Sequence, residues 1–259
     1  MHALLLFVPW LVRAALADEA VPPRSEQKLV YDLLVDGKTV GHRDVTVRYL
    51  PPDDLVPAET RIIESLQELE TTIKGLPVKM RTRSSARSSD SSSSFVSSHE
   101  LNGKVSEVQG HRDNDGRWLV TILAGGKVST WEYRRSEVDL TTMDLVDPAQ
   151  PPPLNDNASA KVLVAEAGVI MTGVVRDLDE SKVKVGGRQV PVHRWDWTPP
   201  DGKVELSWSL DGVLVDYEAA FMGTTLDARL RQLPEPRTFG TIDMEPLKSG
   251  DTKVIEEDL

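Results

Sequence analysis

Alternation of apolar and polar residues with a period of two is the dominant signal along this chain. From Lys203 to Leu210 it runs unbroken: Val204, Leu206, Trp208 and Leu210 point one way, and Lys203, Glu205, Ser207 and Ser209 the other. Successive side chains on a strand face opposite sides, so the pattern predicts a strand in a sheet with one dry and one wet face. Asp201-Gly202 and Asp211-Gly212 flank it, and such pairs tolerate the positive φ that tight hairpins demand. The same rhythm opens the chain, with Leu29, Tyr31, Leu33 and Val35 sharing a face. After Asp36-Gly37 it resumes in Val45, Val47 and Tyr49.

Two stretches carry mixed signals. In Thr60 to Ile73, the residues Ile62, Ile63, Leu66 and Leu69 could form a helical stripe, whereas Thr71, Thr72 and Ile73 favour a strand. Lys74-Gly75 and the alternating Val78 and Met80 follow, so we expect a hairpin and read the segment as strand. Arg83 to Ser98 contains ten serines, a composition typical of linkers. Phe95 and Val96 interrupt it and Asn102-Gly103 follows as a hairpin turn, so we expect strands whose wet face is decorated with serine.

A regular meander then follows. Val105 to Arg112, Arg117 to Leu123 (with Trp118, Val120 and Ile122 on one face) and Lys127 to Arg134 (with Trp131 and Tyr133) are separated by Asn114-Asp115-Gly116 and Gly125-Gly126. Asp139 to Asn157 holds Pro148, Pro151, Pro152 and Pro153 and is expected to be a loop or crossover, because proline cannot donate to a ladder. Strand signals resume at Val162 and continue through Gly186-Gly187 to Leu233, where Pro234 and Pro236 end them. The turn signals imply about 13–15 strands. A sheet that large curls, splits or closes. The expected fold is therefore all-β: one domain over residues 28–237, a large curved antiparallel sheet, half-barrel or barrel, with little helix. Either the proline loop or the 60–73 segment is expected to plug its mouth.

The ends place the chain in a compartment. Residues 1–17 pair an apolar run from Ala3 to Val12 with Ala15-Leu16-Ala17 before Asp18, the layout of a cleavable secretory signal. Ten apolar residues are too few for a span, which needs about 20, so no integral membrane segment is expected after processing. Residues 18–27 read as a flexible leader and 238–259 as an acidic tail. The expected location is the periplasm or the external medium. There are no cysteines, which excludes thiol catalysis and thiolate metal sites. Loss of residues 1–17 removes Arg13 and no acid, so the formal charge moves from −11 to −12. Such a chain is a poor partner for nucleic acid. Its one dense basic cluster, Lys79, Arg81, Arg83 and Arg87, has the spacing of a strand's solvent face.

Candidate chemistry is sparse. His42, His99, His111 and His193 show no H-x-H or H-E-x-x-H spacing, so no metal site is expected. His111 to Gly116 resembles the start of a calcium loop but lacks its later ligands, and a hairpin turn accounts for its Asn, Asp and Gly. No G-x-S-x-G motif, singled-out carboxylate pair or phosphate-cradling glycine loop is present. The expectation is a non-enzyme without a cofactor.

The aromatic residues are the suggestive set. With their apolar neighbours, Trp118, Val120, Ile122, Trp131, Tyr133, Val204, Leu206, Trp208, Val215 and Tyr217 are expected to line an apolar concave face. It would accept a lipid-like acyl chain or a hydrophobic peptide; the competing reading is that they fill the core. In the second case the protein would be an envelope scaffold or interaction module that engages a protein partner through its edges or tail.

The hairpin Tyr31…Val35-Asp36-Gly37-Lys38…Gly41, the turn Gly186-Gly187…Val190-Pro191-Val192, the run Trp208…Asp211-Gly212-Val213-Leu214-Val215, and Gly223 with Leu233-Pro234 together carry a resemblance. The chain resembles exported β-rich proteins of Gram-negative bacteria and is similar in outline to the periplasmic lipoprotein carriers of the Lol system. The resemblance implies a curved antiparallel sheet with helices or loops in its mouth, and handling of lipid or lipid-modified protein.

Overall fold

A computed structural model describes residues 25–52, 59–89, 92–147, 151–152, 155–200 and 202–234, and the structural statements below concern these residues. The expected signal segment and acidic tail lie outside them, as do Pro148 and Pro153. The described residues form one sheet of fifteen strands. The first eight are β1 (Ser25–Val35), β2 (Lys38–Leu50), β3 (Thr60–Ile73), β4 (Leu76–Ser88), β5 (Ser93–Leu101), β6 (Lys104–Arg112), β7 (Trp118–Ala124) and β8 (Lys127–Tyr133). A 3-10 turn, Arg135–Glu137, leads to β9 (Leu140–Thr141) and a single helical turn, α1 (Thr142–Leu145). Then come β10 (Ser159–Val164), β11 (Val169–Val185), β12 (Arg188–Thr198), β13 (Val204–Ser209), β14 (Leu214–Phe221) and β15 (Thr224–Leu230).

The spatial order is β8-β7-β6-β5-β4-β3-β2-β1-β15-β14-β13-β12-β11-β10-β9. The chain therefore starts mid-sheet, winds out to one edge at β8, crosses to the other edge at β9, and winds back to lay β15 against β1. Every neighbouring pair is antiparallel except β9 with β10. Tight hairpins make this possible. Asp36 and Gly37 have φ of 50° and 73°, and Asn102 and Gly103 have 49° and 80°, the double positive-φ geometry whose twist matches that of paired strands.

The sheet curls without closing, because β8 and β9 do not pair. Its two ends nonetheless overlap. The β10–β11 turn reaches the inner face of β6 and β7, where a Cβ on Gly168 would lie 2.7 Å from Ile122 Cδ1 and 3.2 Å from Val108 Cγ1. The Tyr133 hydroxyl donates to the Gly168 carbonyl at 2.9 Å. The crossover supplies the rest of the filling, with Val138, Leu140, Met143 and Leu145 all buried. Thr141 caps α1: its Oγ1 accepts from Asp144 N at 3.2 Å, and Asp144 Oδ2 accepts from Thr141 N at 2.8 Å. Arg61 of β3 clamps the far end through a 2.7 Å ion pair with the buried Asp147. A void of about 20 Å³ lies between α1 and the β3, β4, β5 and β7 strands beneath it. The segment after Asp139 is thus the plug, while residues 60–73 are a wall strand.

Three expectations need correction. The ladder begins at Ser25, opposite Tyr49, so β1 takes in the last three residues of the expected leader. Serine decorates both faces of β4 and β5: Ser85 is exposed, while Ser97 is buried inside. In β13 the alternation fails at its end, leaving Leu210 67% exposed and Ser207 and Ser209 buried. The register shifts between Ser207 and Trp208. The strand also stops at Ser209, whose Oγ accepts from Val213 N at 3.1 Å and closes the turn, so Leu210 never joins the inner row.

Candidate functional site

The ten residues expected to line a concave face do not form one open surface. Trp118 and Val120 are buried on one wall, and Leu206, Trp208, Val215 and Tyr217 on the other. Ile122, Tyr133 and Val204 are half-buried against the same core. The inner apolar rows at this level are packed against α1, the β10–β11 turn and each other. Trp131 differs: it pairs with Val120 and so shares the inner face, yet it is 54% exposed. The cause is its place on an edge strand with no neighbour beyond it.

Around Trp131 the edge is open and apolar. Every residue of β8 is exposed except the half-buried Tyr133. Val128 on β8 and Leu119 and Leu123 on β7 add exposed apolar side chains on the outer face. Natural edge strands are usually blunted by proline, bulges or inward charges. Lys127-Val128-Ser129-Thr130-Trp131-Glu132-Tyr133 carries none of these along its middle.

A second arrangement lies inside, on residues that pattern reading passed over. Arg43 of β2 pairs across the ladders with Tyr31 of β1 and Gln67 of β3, which puts its side chain on the inner face, where it is 4% exposed. Its guanidinium carbon sits 5.9 Å from the Tyr31 ring centroid and 5.5 Å from that of Tyr217. Its Nε donates to Ser65 Oγ at 3.0 Å. Tyr31 donates to the Leu214 carbonyl at 2.8 Å, and Tyr217 donates to Gln67 Oε1 at 3.4 Å. Burial pushes the Tyr31 hydroxyl far above its ordinary value. For Arg43, burial works against the charge, but the Tyr217 and Tyr31 hydroxyls and the more distant Glu166 outweigh it and raise the pKa.

The row that starts at Arg43 continues as Gln67, Thr82, His99 and Ser106 across β3 to β6. Thr82 Oγ1 and His99 Nδ1 are 2.9 Å apart, and one row over Ser84 and Ser97 meet at 3.2 Å. Gln67, Ser84, His99 and Ser106 are only half-buried. The concave face is thus divided into dry rows under α1 and a wetter hydroxyl-rich row beside it. The signal for Arg43 was present in the sequence, since it continues the inward series Tyr49, Val47, Val45.

The outer face of β14 and β15 gathers Asp216, Glu218 and Asp227, each offering an oxygen within 4.8 Å of the others. Arg229 is seated on this cluster, paired with Asp227 and 3.6 Å from Asp216. The four histidines of the described residues lie on four different strands: β2, β5, β6 and β12. His193 pairs with Asp177 at 2.8 Å, and His42 lies 3.8 Å from Asp44. The Asp113–Gly116 run is a hairpin turn, in which Asp113 Oδ1 accepts from Arg117 N at 2.9 Å.

Among known proteins, no family model matches the chain, and no curated protein does. A solved structure does: a β-barrel-like protein of a domain of unknown function, DUF1849, from Brucella abortus. The TM-score is 0.53 and the identity 11%, with 80% of this chain and 96% of that one covered. At this identity the likeness speaks to the fold, a β-rich, barrel-like curved sheet.

Proposed function

We propose that this protein is an exported, non-enzymatic interaction module that takes up an extended apolar segment of an envelope protein as an added strand on β8. The observation that carries this reading is the open edge itself. Trp131 on the inner face and Val128 on the outer are both exposed on a strand whose free side has no partner among the described residues. An incoming strand gains ladder hydrogen bonds from the edge, and alternate side chains find apolar surface on each face. The burial of Trp118, Val120, Leu206, Trp208 and Val215 supports the same reading, since buried side chains do not line an open groove. A photo-crosslinker at Ser129 tests it in cells. The expected result is one dominant crosslinked protein, lost with Trp131→Ser. No crosslink, or one indifferent to Trp131→Ser, would overturn the reading.

A second reading, a small amphiphilic ligand held inside the sheet, is favoured by the wetter inner row at Arg43.

A further inference from the structure

A guanidinium taken out of water is costly unless paired, and buried arginines ordinarily sit against carboxylates. Arg43 is buried on the inner face, yet no carboxylate oxygen of the described residues lies within 4.0 Å of it. Its immediate partners are the Tyr31 and Tyr217 rings, the Tyr217 hydroxyl and the Ser65 hydroxyl. Cation–π contacts and hydrogen bonds to two neutral hydroxyls are its near partners, and the charge of Glu166 acts from farther off. Tyr31 and Tyr217 fix the plane of the guanidinium from two sides, and both hydroxyls are themselves held, by the Leu214 carbonyl and by Gln67. The cation is pre-oriented, and beside it runs a row of polar side chains: Gln67, Thr82, His99 and Ser106. A planar fork with neighbouring hydroxyls suits an oxyanion, which accepts from several donors at once.

We propose that the inner face of β2–β6 is a binding site for a small ligand bearing a carboxylate or phosphate, with Arg43 as its charge partner and the Ser65–Gln67–Thr82–His99 polar side chains beside it. The anion supplies a counter-charge at contact distance, where the described residues place no carboxylate. The half-buried Gln67, Ser84, His99 and Ser106 mark the accessible side of the row. This inference is independent of the edge-strand reading, because Arg43 and Trp131 lie on strands six positions apart in the sheet.

The test titrates the full-length protein with inorganic phosphate and, separately, with octanoate, following the arginine Nε–H resonances by ¹⁵N NMR and the affinity by calorimetry. Saturable binding of either probe with a shift of the Arg43 resonance is the expected result. Phosphate alone would mark a phosphoryl group, and octanoate alone a carboxylate amphiphile. Arg43→Lys, which keeps the charge but loses the fork, should weaken binding at least about tenfold, as expected for losing a charge-assisted hydrogen bond. If neither probe binds, or if the Arg43 resonance stays fixed while binding proceeds, the proposal is wrong. The wild-type resonance decides the matter even if the Arg43 variant folds poorly.

Discussion

Asp216 and Asp227 face each other diagonally across β14 and β15, and each keeps a buried Oδ1 that accepts no hydrogen bond. Two carboxyl groups held this close on a partly buried face disfavour the charge of Asp216. Burial, then the charge and hydrogen bond of Asp227, push Asp216 up to about 7, against the pull of Arg229. Glu218 on the same face adds to the rise. A raised acid means that the folded chain holds a proton the unfolded chain has released, so stability falls as pH rises from about 4 to about 7 and levels off above. The protein should melt higher at pH 5.5 than at pH 8. Asp216→Asn should flatten that window and raise Tm at pH 8, by about 2–4 °C for each kcal/mol recovered in a chain of this size. Thermal melts across that range decide it, and a variant profile that overlays the wild type would contradict a raised Asp216.

The Arg61–Asp147 ion pair holds the plug to the wall. Asp147→Ala leaves a guanidinium that is 14% exposed without this counter-ion, and breaking a buried pair on one side costs about 3–5 kcal/mol. Urea unfolding should show that loss, and the double variant with Arg61→Met should regain part of it. If both single variants are neutral, the clamp contributes nothing.

The overlap of the two sheet ends rests on small features. Gly168 has a φ of +69° and no room for a Cβ. Gly168→Ala should therefore destabilise by about 1–3 kcal/mol through strain and crowding against Ile122. Tyr133→Phe removes one hydrogen bond and should cost about 0.5–1.5 kcal/mol. Hydrogen exchange offers a sharper reading, since both changes should speed exchange in the 165–168 turn more than in β1 and β15.

Trp131→Ser should leave stability within about 0.5 kcal/mol, as for exposed positions without structural partners, while abolishing capture of the partner on β8. A large drop in Tm would mean that the ring supports the fold instead.

Most of the wall strands were legible because hairpin chemistry and period-two alternation agree, as in Asp36-Gly37 beside Tyr31 and Val45. Alternation could not tell which rows α1 would cover, because the covering residues, Met143 and Leu145, sit in a short helical turn with no period to read. It also failed at Leu210, where a register shift and an early turn replaced the expected inner position. Arg43 was missed for a different reason. A charged residue at the end of an apolar series reads as the strand leaving the core, whereas its pairing with Tyr31 keeps it inside. Trp131 was placed on the correct face but in the wrong environment, since exposure depends on the missing neighbour of β8 and not on its own strand.

The pairing of β1 with β15 also dictates the order in which the molecule can assemble. Tyr31 lies opposite Leu230, so the central seam of the sheet cannot form until nearly the whole chain is available. Each half, β1 to β8 and β10 to β15, is a run of local hairpins that can nucleate early. Joining them closes a loop of almost the entire described chain, a step that is slow in non-local β topologies. Until it occurs, the inward rows of both halves face solvent as two unfinished edges. The protein is therefore most vulnerable to aggregation and proteolysis between hairpin formation and that final zipping.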